Sequence, residues 1–280
     1  MDKEFWRSIA SNDYAIPEGH TAKELLDELI QNLGSPDPEL RDELSLTILA
    51  TWLERGLYTN NEMRALIPVM LIGLRAGIGE CGTDTVFQRT FSALILAELI
   101  HVDNKQPYLT DTEVFDVMDK ALAYLLAERD PRGYVPEKGW AHALAHTADL
   151  LMVLARSRYL GKSELRHILQ VFAARLVDSG HAIYLDNEDE RLVNTIMAAL
   201  ERNLLDLDSL KAWTESLAQP DSDGWKDAFL SEARNHARFN VKTFLRSLHY
   251  RLVKAETPPA IAAEFIRVLR ESLKVLTPWA

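Results

Sequence analysis

The chain has 280 residues, 47% of them hydrophobic and 26% charged, which is a globular composition and not a disordered one. Its 31 lysines and arginines stand against 42 acids, a formal charge of −11, the wrong sign for non-specific binding of nucleic acid. One cysteine, Cys81, excludes a disulfide framework, a Cys-rich zinc finger and an iron–sulfur cluster.

The first residues lack the apolar stretch of a signal peptide. The longest uncharged apolar run, 65–74, is too short to cross a bilayer. A soluble cytoplasmic protein with no membrane partner is expected. Apolar residues at i, i+3, i+4 and i+7 predict helices over 21–33, 39–55, 60–78, 84–102, 111–128, 139–157, 162–178, 188–203, 207–217, 224–254 and 258–275. Three starts fit a capping box: Thr21 with Glu24, Thr59 with Glu62 and Thr110 with Glu113. Pro68 falls inside a predicted helix and should kink it. Extended pieces near Tyr134 and over 182–185 are too short to make a sheet. No linker or low-complexity tract interrupts the pattern, so one all-helical domain over 1–280 is expected.

A period runs through these helices. Glu62, Glu113 and Glu164 are 51 residues apart, and Tyr108-Leu-Thr-Asp-Thr-Glu113 parallels Tyr159-Leu-Gly-Lys-Ser-Glu164. At the same offset Ala97-Glu98-Leu99-Ile100 falls on Ala148-Asp149-Leu150-Leu151. Helix pairs at this period predict stacked antiparallel pairs, a HEAT- or armadillo-like α-solenoid, with an α/α toroid as the competing architecture.

One stretch stands apart. A loop with two prolines and two glycines leads from Arg129 into a helix bearing His142, His146 and Asp149 at i, i+4 and i+7, one helical face. The 51-residue offset sets both histidines on apolar positions, Phe91 and Ile95, and sets Asp149 on Glu98. Glu98 could therefore converge with the trio. Imidazoles one turn apart with a carboxylate can ligate Zn²⁺, Mn²⁺ or Fe²⁺. They can also act as general base and orienting acid, or form a satisfied hydrogen-bond network inside a packed fold. Trp140, at the helix entry, is a core anchor or a stacking platform. Arg238, Lys242, Arg246 and His249 make a basic stripe, read as a solvated face or an anion site. There is no His-Glu-x-x-His, no Gly-x-Ser-x-Gly and no phosphate-cradling glycine loop.

Arg129-Asp-Pro-Arg-Gly-Tyr134 followed by Glu137-Lys-Gly-Trp-Ala-His-Ala-Leu-Ala-His-Thr-Ala-Asp-Leu-Leu151 resembles the hallmark of a bacterial family of unknown function, DUF2785. The stretches beginning Val86-Phe-Gln-Arg-Thr-Phe91 and Val241-Lys-Thr-Phe-Leu-Arg246 are similar to that family's other recurrent segments. The resemblance implies a helical cytosolic bacterial protein and supplies no activity. It marks Arg89, Trp140, His142, His146, Asp149 and Arg246 as positions to follow.

Two functions are expected to compete. The first is a binding or scaffold protein, with a cleft lined by His142, His146 and Asp149 that takes a protein, a peptide or a small polar ligand. The second is a hydrolase-like enzyme built on the same trio, with a divalent metal as the one cofactor the trio could hold.

Overall fold

Helices begin where their caps place them. In the computed structural model, which describes residues 1–277, the hydroxyls of Thr21, Thr59 and Thr110 accept from the amides of Glu24, Glu62 and Glu113. Each of those carboxylates accepts in return from its threonine's amide. These boxes start α2 (Ala22–Asn32), α4 (Asn60–Gly73) and α6 (Asp111–Ala127). Glu164 closes half of such a box on α8 (Lys162–Val177), accepting from Gly161 N–H at 2.8 Å. Helices α4, α6 and α8 thus start at Asn60, Asp111 and Lys162, at intervals of 111 − 60 = 51 and 162 − 111 = 51 residues.

The remaining α-helices are α1 (Lys3–Ser11), α3 (Thr47–Glu54), α5 (Thr85–Lys105), α7 (Ala143–Ala155), α9 (Glu188–Glu201), α10 (Leu207–Ala218), α11 (Glu232–Lys254) and α12 (Ala262–Leu276). Among the described residues the only strands are β1 (Tyr134–Val135) and β2 (Gly139–Trp140), so the fold is all-α. No helix of the described residues is long and apolar enough to cross a membrane. The chain groups into two compact units, Met1–Leu150 and Leu151–Ala280, divided within α7.

Several expected elements differ for local reasons. Helix α1 was not expected; Asp2 caps it by accepting from Phe5 N–H at 2.9 Å, and it buries Trp6 and Ile9. The stretch 39–55 is a π-helix over Glu39–Leu46 running into α3. The stretch 224–254 breaks into a 3₁₀ turn, Lys226–Phe229, and α11, because Ser231 caps a new helix. The helix expected from 139 begins only at Ala143, since its first residues pair as β2 with β1. The pieces near Tyr134 thus do make a two-stranded ladder.

In the first unit the core is built on α5, whose Phe87, Phe91, Ile95, Leu96 and Leu99 are fully buried, with α3 and α4 packed against it. In the second unit α11 and α12 pack together, and Trp213 lies 6.0 Å from Phe244 and 6.5 Å from Phe265 between ring centroids.

A buried ion pair joins α5 to the end of α6. Arg89 Nε and Nη2 donate to the two carboxylate oxygens of Glu128 at 2.6 and 3.1 Å. Its Nη1 donates to Ala76 and Gly77 carbonyls and to Thr85 Oγ1. Glu128 also accepts from Tyr124 Oη and from the amides of Arg129 and Asp130, each at 2.8 Å. Replacing Glu128 by glutamine removes the charge and leaves the guanidinium buried without a counter-ion. Glu128→Gln is expected to lower unfolding free energy by about 3–5 kcal/mol, read as a lower urea midpoint at unchanged slope.

Candidate functional site

The loop after Glu128 is fixed before the hairpin begins. Asp130, also buried, accepts from Gly82 N–H at 3.0 Å and from the Arg132 guanidinium at 2.6–3.1 Å. Arg132 reaches on to the Thr83 carbonyl, and Lys138 Nζ pairs with both oxygens of Asp84 at 2.7 Å. The loop is therefore clamped at three points onto the turn that precedes α5.

The hairpin pairs Tyr134 with Trp140 and Val135 with Gly139. Its turn needs left-handed backbone at Glu137 (φ 65°) and Gly139 (φ 73°). At Gly139 a Cβ would stand 2.9 Å from Pro38 Cβ and 3.3 Å from Arg41 Nη2. Arg41 is fully buried. It donates to the carbonyls of Ser35 (2.7 Å), Lys138 (2.6 Å) and Trp140 (3.4 Å). Its guanidinium lies 4.0 Å from the Phe87 ring centroid and 4.8 Å from that of Phe91. Burial pushes its pKa down to about 10, which leaves it charged at neutral pH.

Two more backbone bonds carry the chain from the hairpin into α7. Ala141 N–H donates to Gly133 O at 2.8 Å and His142 N–H to Arg132 O at 3.0 Å. His142 then turns left-handed at φ 52°, and its carbonyl accepts from His146 N–H at 2.9 Å. His142 is the residue that launches α7 and not a residue of its first turn.

The side chains form a ladder of rings running inward. Tyr134 and Trp140, 56% and 38% exposed, meet edge to face at 5.1 Å. Trp140 stacks on His142 at 4.6 Å and 18°. His142 meets His146 edge-on at 5.7 Å, and His146 meets Phe91 edge-on at 5.3 Å. Both histidines are buried, at 7% and 6% exposure. Asp149, half-buried, follows on α7.

The other expected residues have different surroundings. Arg89 is spent in the Glu128 pair. Glu98 lies seven residues beyond Phe91 on α5, about 10 Å further along the axis, and groups with Glu54 and His101. One ligand atom from each of these three lies within 4.8 Å of the others. Arg246 is exposed on α11, in the second unit. Of its stripe, Arg238 is buried and donates to the Leu276 carbonyl, and His249 Nε2 is 3.3 Å from Arg270 Nε. His101 escaped the sequence reading although Glu98 and His101 are spaced i, i+3; Glu54 gives no local signal, because it lies on another helix.

A groove between α4 and α6 also went unread. It encloses about 750 Å³, with Ile67, Pro68, Leu71, Ile72, Ala123 and Tyr124 among its lining and Arg64, Arg75, Glu113, Asp116 and Lys120 around it. The proline inside α4 was its one sequence signal.

The hairpin's fit against Arg41 has a measurable consequence. Gly139→Ala adds left-handed strain and a clash with Pro38, and should cost at least about 2 kcal/mol. Gly180→Ala, at φ 61° with nothing within 4 Å of its Cβ, should cost only the backbone share, about 1 kcal/mol. Chemical denaturation of the two variants side by side checks the difference.

No curated protein and no solved structure matches the chain. One family model does match, over residues 74–250, a stretch that holds α5, the clamped loop, the hairpin and both histidines. The chain belongs to the family described as protein of unknown function (DUF2785).

Proposed function

We propose that this is a binding protein, and that its groove between α4 and α6 seats the apolar face of a partner's helix. The observation that carries the reading is the groove itself. Its volume falls within the range of ligand sites. Its floor is aliphatic, Ile72 is 73% exposed beside it, and charges of both signs ring it. An apolar trough with a charged rim is the complement of an amphipathic helix. Helix α4, at 14 residues, is about 21 Å long, enough for several turns of a partner. Pro68 supports the opening, since it has no N–H to close the backbone bond to Arg64.

For the helix pairs we keep the stacked HEAT- or armadillo-type reading, supported by the 51-residue interval between helix starts.

The groove is testable with a defined probe, 1-anilinonaphthalene-8-sulfonate, whose rings suit the floor and whose sulfonate suits Arg64, Arg75 or Lys120. Ala123 is exposed on the groove wall, so Ala123→Trp fills the trough without entering the core. The wild-type protein should bind one equivalent of the probe, and Ala123→Trp should bind it at least about tenfold more weakly, a loss of about 1.4 kcal/mol, with an unchanged thermal midpoint. Equal binding by the two would remove the groove as receptor.

A second reading, a hydrolase-like enzyme using His142, His146 and Asp149, draws support from the left-handed backbone at His142, because such strain gathers at functional sites. Asp149→Asn separates it from a structural role. A loss of about 1–3 kcal/mol would assign the carboxylate to the fold. Unchanged or raised stability in chemical denaturation would assign it to a ligand.

A further inference from the structure

We propose that Glu54, Glu98 and His101 form a site for one divalent transition-metal ion of the Zn²⁺, Mn²⁺ or Fe²⁺ class. The proposal is independent of the groove.

Helix α3 ends at Glu54 and packs on α5. Glu98 and His101 sit three residues apart on α5, so they project from one face. The three ligand atoms already lie within 4.8 Å of one another. Ligands held about 2.1 Å from a tetrahedral ion are about 3.4 Å apart, so side-chain adjustment alone would close the set.

The orphan is Glu98. Its Oε1 is buried and accepts no hydrogen bond from the described residues, while the helix around it is apolar, with Ala97, Leu99 and Ile100 all buried. Burial, and then the charge of Glu54, push its carboxyl up to about 7, with Lys105 pulling the other way. A carboxylate in that position lacks a cation. Lys105 does not supply one to it, since its ammonium sits on Glu54 Oε1 at 2.7 Å. That lysine is 54% exposed and free to swing into solvent when an ion takes its place. His101 Nε2, 3.9 Å from the same Glu54 oxygen, completes the donors.

Two carboxylates and an imidazole set the metal class. The imidazole disfavours Ca²⁺ and Mg²⁺, which take oxygen. Three protein ligands, with Glu54 and His101 reaching solvent, leave a position for water, the pattern of reactive rather than structural zinc sites.

The experiment uses the full chain, stripped with EDTA and titrated with Zn²⁺ by calorimetry, with metal content read by mass spectrometry. One equivalent should bind and raise the thermal midpoint. Glu98→Gln and His101→Gln should each weaken binding by at least about tenfold, the least that losing even an outer-shell partner costs a metal site, and abolish the rise in midpoint. Glu54→Gln, exposed and harmless to folding, gives the same reading should either of the other variants misfold. Absence of binding, or binding by surface histidines that all three variants retain, would overturn the site. So would a loss confined to His142→Gln and His146→Gln.

Discussion

The Arg89–Glu128 pair is the contact on which the loop after α6 in the first unit depends. An arginine and a glutamate taken out of water each lose hydration worth several kcal/mol, and mutual attraction returns it only when every remaining donor and acceptor is satisfied. Here they are: the guanidinium reaches two carbonyls and a hydroxyl, and the carboxylate takes two amides and a phenol. Those two amides belong to Arg129 and Asp130, the first residues of the loop. The pair therefore fixes the direction in which the chain leaves α6, and Asp130, Arg132 and Lys138 extend the same grip to the turn before α5.

Arg41 meets the neighbouring problem by other means and less completely, since its Nε is buried with no hydrogen-bond partner among the described residues. Among the described residues its hydrogen-bond acceptors are carbonyls and not carboxylates. Its charge is instead spread over three carbonyls and the faces of Phe87 and Phe91, interactions that strengthen once water is excluded. Because Phe91 also receives the edge of His146, the cation and the ring ladder share one aromatic. The histidines are held between a buried cation at one end and a half-exposed tryptophan at the other. This geometry explains two things together: why the imidazoles occupy positions that the 51-residue offset otherwise fills with apolar residues, and why glycine stands at 139.

What the sequence made legible was local or periodic. Capping boxes at Thr21, Thr59 and Thr110 announce themselves within four residues, and the interval between Glu62, Glu113 and Glu164 survives as three helix starts. The stretch from Arg129 to Asp149 was visibly unlike its surroundings. What stayed hidden depended on distant partners. The hairpin exists because Arg41, 97 residues before Lys138, binds its carbonyls, and no pattern within 134–140 encodes that. Asp149 and Glu98 looked equivalent by offset, yet Glu98 has its neighbours on α3. The π-helix over Glu39–Leu46 carries the same apolar spacing as an α-helix, so periodicity could not tell them apart.

Arg89 and Glu98 together separate fold from function along one helix. Both are charged residues on α5, nine residues apart, in a segment that is otherwise core. The arginine's donors all meet acceptors, so its burial is fully explained by the loop it anchors. The glutamate's inner oxygen has no hydrogen-bond partner among the described residues. A buried carboxyl oxygen that the fold leaves unpaired, set beside an imidazole and a second carboxylate, is better explained by a cation than by packing.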